Sequence, residues 1–302
     1  MYARYLLASL LAGAVVAAPP VGVIINDCTT PGTVALTFDD GPFIYTETVL
    51  NQLAAAGAKA TFFVNGQNWG NIYDNAWLVQ RMVNEGHQVG SHTWSHADLA
   101  GLNAAGVTSE MTLLEDALLN IIGKFPTYMR PPYFSYNSAT LQTLGSLGYH
   151  VIQASIDTLD WQYNTPGQIG QSVQIFQNGL NSGGTISLSH DVHQTTANTL
   201  VSAMINAVRS SGKRAVTVGE CLGDAAANWY RTSRNGGGGG DGGGTNPPPG
   251  GNPGPGPDGS CGGPNGYTCP QTSYRCCSQW GFCGDSAEYC GAGCNPAYGI
   301  CW

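Results

Sequence analysis

Residues Thr33-Val34-Ala35-Leu36-Thr37-Phe38-Asp39-Asp40-Gly41-Pro42 start as an apolar, β-branched run and stop in a turn. The run over 34–38 predicts a short strand, and Gly-Pro marks its end. Adjacent aspartates in a strand-to-loop turn point in different directions. One can ligate a cation while the other stays free as a base. Asp-Asp-Gly by itself is also an ordinary turn, so its meaning depends on what the rest of the chain brings near it.

The same pattern repeats along the chain. Strands are expected over 34–38, 60–64, 88–91, 128–130, 150–156, 185–189 and 214–218. Helix-like segments lie between them at 46–56, 74–84, 109–122, 138–147, 168–180 and 195–210, several followed by Gly. About seven strands alternating with helices predict a parallel α/β fold. Barrel-like closure is favoured over an open doubly wound sheet, because no Gly-rich phosphate loop opens a helix.

Polar residues then sort by strand end. Asp39 and Asp40 end the first strand, Ser91-His92-Thr93-Trp94-Ser95-His96 the third, and Arg130-Pro131-Pro132-Tyr133 the fourth. Asp157-Thr158-Leu159-Asp160-Trp161 ends the fifth and Leu188-Ser189-His190 the sixth. All fall where parallel barrels keep their active sites. His92 and His96 are four residues apart, a spacing that brings two imidazoles to one face of a helical turn. With a carboxylate from Asp39-Asp40 they make a two-His-one-carboxylate site suited to zinc or a similar divalent ion.

Composition narrows the partner. Of 302 residues, 42% are apolar and only 10% charged, against roughly 25% charged for an average soluble protein. The net charge of −8 offers no basic face for phosphates, which argues against nucleic acid. Residues 1–18 read as a signal peptide: Arg4, an apolar run from Leu6 to Val16, and a small-residue cleavage site at Ala17-Ala18. The run is too short to span a bilayer of roughly 30 Å, so secretion without a membrane anchor is expected. No Asn-x-Ser/Thr acceptor occurs.

Ten cysteines agree with export. Cys28 and Cys221 would staple the start of the large domain, 22–234, to its end. On the chain-entropy model such a loop is worth up to about 5 kcal/mol. Residues 235–260 hold 13 Gly and 6 Pro with no other apolar side chain, and are expected to form a flexible linker. The segment 261–302 crowds eight cysteines into a length that cannot build a sufficient core without bridges. Four bridges allow 105 pairings, and a zinc cluster is the alternative that export argues against.

From Thr33 to Val218 the chain resembles the polysaccharide deacetylase (NodB-homology) domain of carbohydrate esterase family four, on its TFDDGP and H-T-W-S-H motifs above all. The resemblance implies a distorted (β/α) barrel and hydrolysis of acetyl groups on sugars. It implies Asp39 as general base and Asp40, His92 and His96 as ligands of a divalent metal, zinc first and cobalt second. Arg130 would orient the base, the Tyr133 backbone N–H would help hold the oxyanion, and Asp160 would tune His190 as general acid. Trp161 and Leu188 would wall the acetyl pocket. Many relatives place Gly where this chain has Phe134, which bears on loop shape. Asp157 reads equally as a loop-capping carboxylate.

The tail over Cys261–Cys301 resembles a hevein-like chitin-binding module, carbohydrate-binding family eighteen. It is identified by Cys276-Cys277-Ser278-Gln279-Trp280-Gly281-Phe282-Cys283-Gly284 and Glu288-Tyr289-Cys290. That resemblance implies bridges Cys261–Cys277, Cys269–Cys283, Cys276–Cys290 and Cys294–Cys301. It also implies sugar contacts from Ser278, Trp280, Phe282 and Tyr289, whose flat rings suit stacking on sugars. The expectation is a secreted, monomeric deacetylase of chitin or chito-oligosaccharides. An acetylxylan esterase or peptidoglycan deacetylase is the alternative within the family, and an inactive chitin-binding lectin the alternative outside it.

Overall fold

The computed structural model describes residues 18–234 and, further on, 261–262, 267–269, 275–291, 293–295 and 298–301. The expected signal segment up to residue 17 and the expected linker 235–260 lie outside the described residues. The strand read at 34–38 forms as two pieces. Thr33–Ala35 pairs in parallel with Arg214–Val216. Past Leu36, Thr37–Asp39 joins the main sheet as β2.

That sheet contains β1 (Ile24–Ile25), β2, β3 (Thr61–Val64), β4 (Gln88–Ser91), β5 (Tyr128–Met129), β6 (His150–Ile152), β7 (Ile156–Asp157) and β8 (Ser187–His190). Its order is β1-β6-β5-β4-β3-β2-β8-β7, and every pairing is parallel. Six helices cover its outer face: α1 (Thr46–Ala56), α2 (Ala76–Asn84), α3 (Ala104–Ile122), α4 (Ser138–Ser146), α5 (Ile169–Asn181) and α6 (Val201–Ser210).

The single strand expected over 150–156 is in fact β6 and β7, which sit near opposite ends of the sheet. Residues 153–155 bridge that gap, so the sheet curls until its edges face one another. The Gln153 N–H reaches the Ile25 carbonyl at 2.8 Å, and the Ser155 N–H reaches Ile186 at 3.0 Å. The result is a distorted half-barrel. A run of β-forming side chains does not reveal that its hydrogen-bond partner changes midway. The strand expected over 214–218 pairs outside the main sheet and stops where Thr217 caps the short helix Val218–Cys221. Helix α3 starts five residues before its expected position, capped by Asn103 Oδ1 on the Gly106 N–H at 2.9 Å. Gly106 weakens that first turn's helical signal. The helix expected from 195 begins as a π-turn over Thr196–Leu200 before α6.

Period-two alternation separates two cores. Phe62 joins Phe38 and helix residues such as Val49, Leu53 and Met204 outside the sheet. Its neighbour Phe63 joins Tyr128, Ile152 and Ile186 inside the curl. The inner core plugs the lower barrel and leaves the C-terminal strand ends to form a cleft. No helix among the described residues is long and apolar enough to cross a membrane.

The C-terminal region has a different build. Strands Cys276–Cys277 and Cys283–Gly284 pair antiparallel, followed by the one-turn helix Ala287–Cys290. Five disulfides join Cys28–Cys221, Cys261–Cys277, Cys269–Cys283, Cys276–Cys290 and Cys294–Cys301. No described cysteine is free, which removes the zinc-cluster alternative.

Candidate active site

Among the described residues, six non-glycine residues have positive φ: Asp40 (77°), Thr93 (71°), His96 (59°), Tyr133 (58°), Phe134 (52°) and Leu159 (53°). Five lie in the strand-end motifs, and Phe134 directly follows one. Each such conformation costs roughly 1–3 kcal/mol and persists only where its surroundings over-determine it. Around the two histidines those contacts are visible. The Asn65 side chain donates to the carbonyls of His92 and Thr93. Glu110 on α3 accepts from the Ser95 N–H at 2.8 Å and hydroxyl at 2.7 Å. Phe134, where the family resemblance leads one to expect Gly, takes the left-handed conformation that Gly adopts most cheaply.

Asp40 Oδ1 lies 3.1 Å from His96 Nε2 and 3.6 Å from His92 Nε2, and among the described residues no hydrogen bond of good geometry satisfies that buried oxygen. His92 Nδ1–H donates to the Arg130 carbonyl at 2.7 Å, which fixes the tautomer and leaves Nε2 as a lone-pair donor. Burial pushes the His92 pKa down despite the carboxylates of Asp39 and Asp40, keeping the ring neutral. Burial raises the Asp40 pKa, but the His96 contact and the charge of His190 outweigh it and hold the carboxyl well below its usual range. One ionised carboxylate and two imidazoles converging on an orphaned oxygen fit a divalent cation.

Asp39 is built differently. Its Oδ1 accepts from Arg130 Nη1 at 2.8 Å, while Oδ2 stays 3.8 Å from His92 Nε2. Arg130 is fully buried and also donates to the Thr37 hydroxyl at 2.5 Å and the Gln153 carbonyl at 2.8 Å. Its ring-face neighbour is Phe63, at 4.5 Å. The same arginine thus orients Asp39 and pins the segment that closes the barrel.

Across the cleft, His190 Nδ1 bonds Asp160 Oδ1 at 2.7 Å. Asp160 Oδ2 accepts from the His190 N–H and the Thr196 hydroxyl, both at 2.7 Å. Burial disfavours the imidazolium, but the Asp160 charge and hydrogen bond overcome it and push the His190 pKa up to about 10. A histidine that stays protonated across the neutral range is suited to give a proton rather than take one.

These residues line one cleft of about 620 Å³, with Tyr133, Trp161 and Leu188 around it. Tyr133 is 70% exposed and Trp161 51%, so both reach the rim. Arg130 and Asp160 stand behind the cleft, fully buried. Asp157 also lines it, its Oδ1 capping the Leu159 N–H at 2.9 Å and its pKa raised by burial. Not evident from the sequence are Thr37, Asn65, Glu110 and Thr196, which orient the others, and Trp69, Asn164 and His193, which line the cleft. Thr37 and His193 sit close in sequence to Asp39 and His190, but the others have no recognisable spacing; Thr196 and Asp160, for instance, are 36 residues apart.

In the C-terminal region, Trp280 is half-exposed at the hairpin turn, and Phe282 and Tyr289 are partly buried. Ser278 is buried, its hydroxyl accepting from the Trp280 and Phe282 N–H groups at 3.3 Å each.

A polysaccharide deacetylase family model matches residues 26–152. The chain is 59% identical over 304 residues to a chitin deacetylase of Pestalotiopsis sp, spanning 98% of both chains. The chain belongs to the polysaccharide deacetylase family. Over 215 residues it is also 54% identical to a probable peptidoglycan-N-acetylglucosamine deacetylase of Arthroderma benhamiae, covering 71% of this chain and 49% of that one. Among solved structures, the chitin deacetylase of Colletotrichum lindemuthianum matches with a TM-score of 0.69 and 47% identity. That match covers 71% of this chain and 97% of the other. Deacetylases of this family depend on a divalent metal, in keeping with the Asp40, His92 and His96 cluster.

Proposed function

We propose that this family member is a secreted, monomeric chitin deacetylase. It hydrolyses the N-acetyl groups of chitin or chito-oligosaccharides, releasing acetate and leaving glucosamine units. The observation that carries the reading is one cleft with an arginine-held carboxylate on one side and a carboxylate-held, protonated histidine on the other. Amide hydrolysis needs that polarity, since a proton leaves the attacking water and another must reach the departing nitrogen.

Asp39 accepts the water's proton, held in place by Arg130. His190 donates to the amine nitrogen as the C–N bond breaks, and Asp160 keeps it charged and oriented. The Tyr133 N–H offers a hydrogen bond to the acyl oxygen, while Trp161 and Leu188 enclose the methyl group. A divalent ion held by Asp40, His92 and His96, zinc first and cobalt second, supplies Lewis acidity when bound. In the tail, Trp280, Phe282 and Tyr289 stack on sugar rings, with Ser278 completing the contact. This module holds the barrel close to an insoluble polymer.

Peptidoglycan is the second reading, favoured by the Arthroderma relative. Acetate release from chitotetraose, colloidal chitin, peptidoglycan and acetylxylan, measured side by side, decides between them. Chitin substrates are expected to lead by at least tenfold. A lead for peptidoglycan or xylan overturns the substrate, and no release from any of them overturns the enzyme.

A further inference from the structure

Asp191 follows His190 in the chain, is fully buried, and has no part in the roles assigned above. Its carboxylate lies against the backbone of Gly41. A methyl group placed at Gly41 would come within 2.4 Å of Asp191 Oδ2 and 2.6 Å of Oδ1. The Thr46 hydroxyl donates to Oδ2, and the same hydroxyl accepts the Phe43 N–H at 2.9 Å. Oδ1 has no hydrogen-bond partner among the described residues. Burial, with the charges of Asp40 and Asp39 behind it, pushes this carboxyl up to about 7.

A buried acid with no cation against it is costly to the fold. Orientation of His190 does not require it, since Asp160 already takes both the ring and the backbone N–H. What Asp191 touches is the turn that carries Asp39 and Asp40, through Gly41 on one side and Thr46, the first residue of α1, on the other. The ladder between β2 and β8 ends at the pair Asp39 and His190. Beyond that pair, the Asp191 carboxylate continues the connection between the two loops. Gly41 is therefore needed for the close approach of this carboxylate.

We infer that Asp191 is a positioning residue that sets the separation between the proton donor His190 and the turn bearing Asp39 and Asp40. The inference rests on the proton-transfer roles given to His190 and Asp39. Displacing one partner by about 1 Å is enough to cost on the order of 100-fold in rate.

The test uses the full chain with Asp191→Ala, Asp191→Asn and Thr46→Val, read by kcat and KM on chitotetraose and by the thermal midpoint. Asp191→Ala is expected to lower kcat about 10–100-fold with KM within about threefold, while the midpoint stays level or rises. Thr46→Val is expected to follow at about tenfold, and Asp191→Asn, which keeps the acceptor for Thr46, to recover to within about threefold. A purely structural brace predicts instead that midpoint and kcat fall together, without rescue by Asn; that pattern overturns the inference, as does kcat within about twofold of the parent. If Asp191→Ala does not fold, Thr46→Val and Asp191→Asn decide. Gly41→Ala supplies a reading independent of activity: it should lower the midpoint in the parent and cost little more in the Asp191→Ala background. Additive effects break the inference even if the parent releases no acetate, an outcome that would separately remove the deacetylase reading.

Discussion

The barrel and the cysteine-rich module hold aromatic and polar groups in place by opposite means. The barrel has one disulfide, across 193 residues, and relies on large buried side chains such as Phe38, Phe62, Phe125 and Phe176. The four bridges of the module span only 7 to 16 residues, and five of its cysteines are themselves the buried material. The three rings expected to meet sugar lie within one short stretch, Trp280 to Tyr289. The barrel's site is gathered from Asp39 to His190 by topology, with six left-handed residues held under local strain. Chemistry that moves protons needs groups fixed from several directions, whereas stacking needs only flat faces on a rigid support.

The comparison is sharpest when the two parts are made to fail separately. Chelation is expected to reduce acetate release to background, with zinc or cobalt restoring it, while retention on chitin in a pull-down stays unchanged. Full activity in protein shown by elemental analysis to be metal-free would contradict the ligand set. Next in size, Asp39→Asn should lower kcat by about 10²–10⁴-fold with metal content intact, because it removes only the proton acceptor. Asp40→Asn should lose metal first. Equal metal content and near-normal rates in both variants would erase that division.

The third effect depends on pH. His190 has a folded pKa raised to about 10, so it carries its proton at neutral pH, and the rate should fall as pH rises through about 10. His190→Ala should lower the rate throughout and abolish this alkaline limb; an unchanged limb would reassign the proton donor. The smallest effects belong to the tail. Ending the chain after Arg234 should leave turnover on soluble chito-oligomers within about twofold, since the linker expected from the sequence would contribute only effective concentration. The same truncation should reduce retention and deacetylation on colloidal chitin, and Trp280→Ala should reproduce most of that loss. Equal retention of full-length and shortened protein would leave the module without its proposed role.

The barrel is legible in the sequence because parallel strands with helical crossovers repeat visibly, and because polar residues gather at one end of each strand. Residues 150–156 look like one strand because Val151, Ile152 and Ile156 have the same β-forming character on both sides of the crossing. Likewise Asp39 and Arg130 stand out in the sequence, whereas the hydroxyl of Thr37 and the amide of Asn65 belong to residue types common everywhere. Their importance comes from contacts made across the sheet.

The sequence by itself determined the element pattern, the ligand types and the crowding of cysteines, because side-chain chemistry and local periodicity travel with the chain. Only the tertiary structure decided how far each aspartate stands from Arg130 and from the histidines, why Gly41 has no room for a side chain, and where the sheet's two edges meet. Those outcomes depend on distances between residues as far apart as Asp39 and His190, which burial and parallel pairing set and no local pattern records.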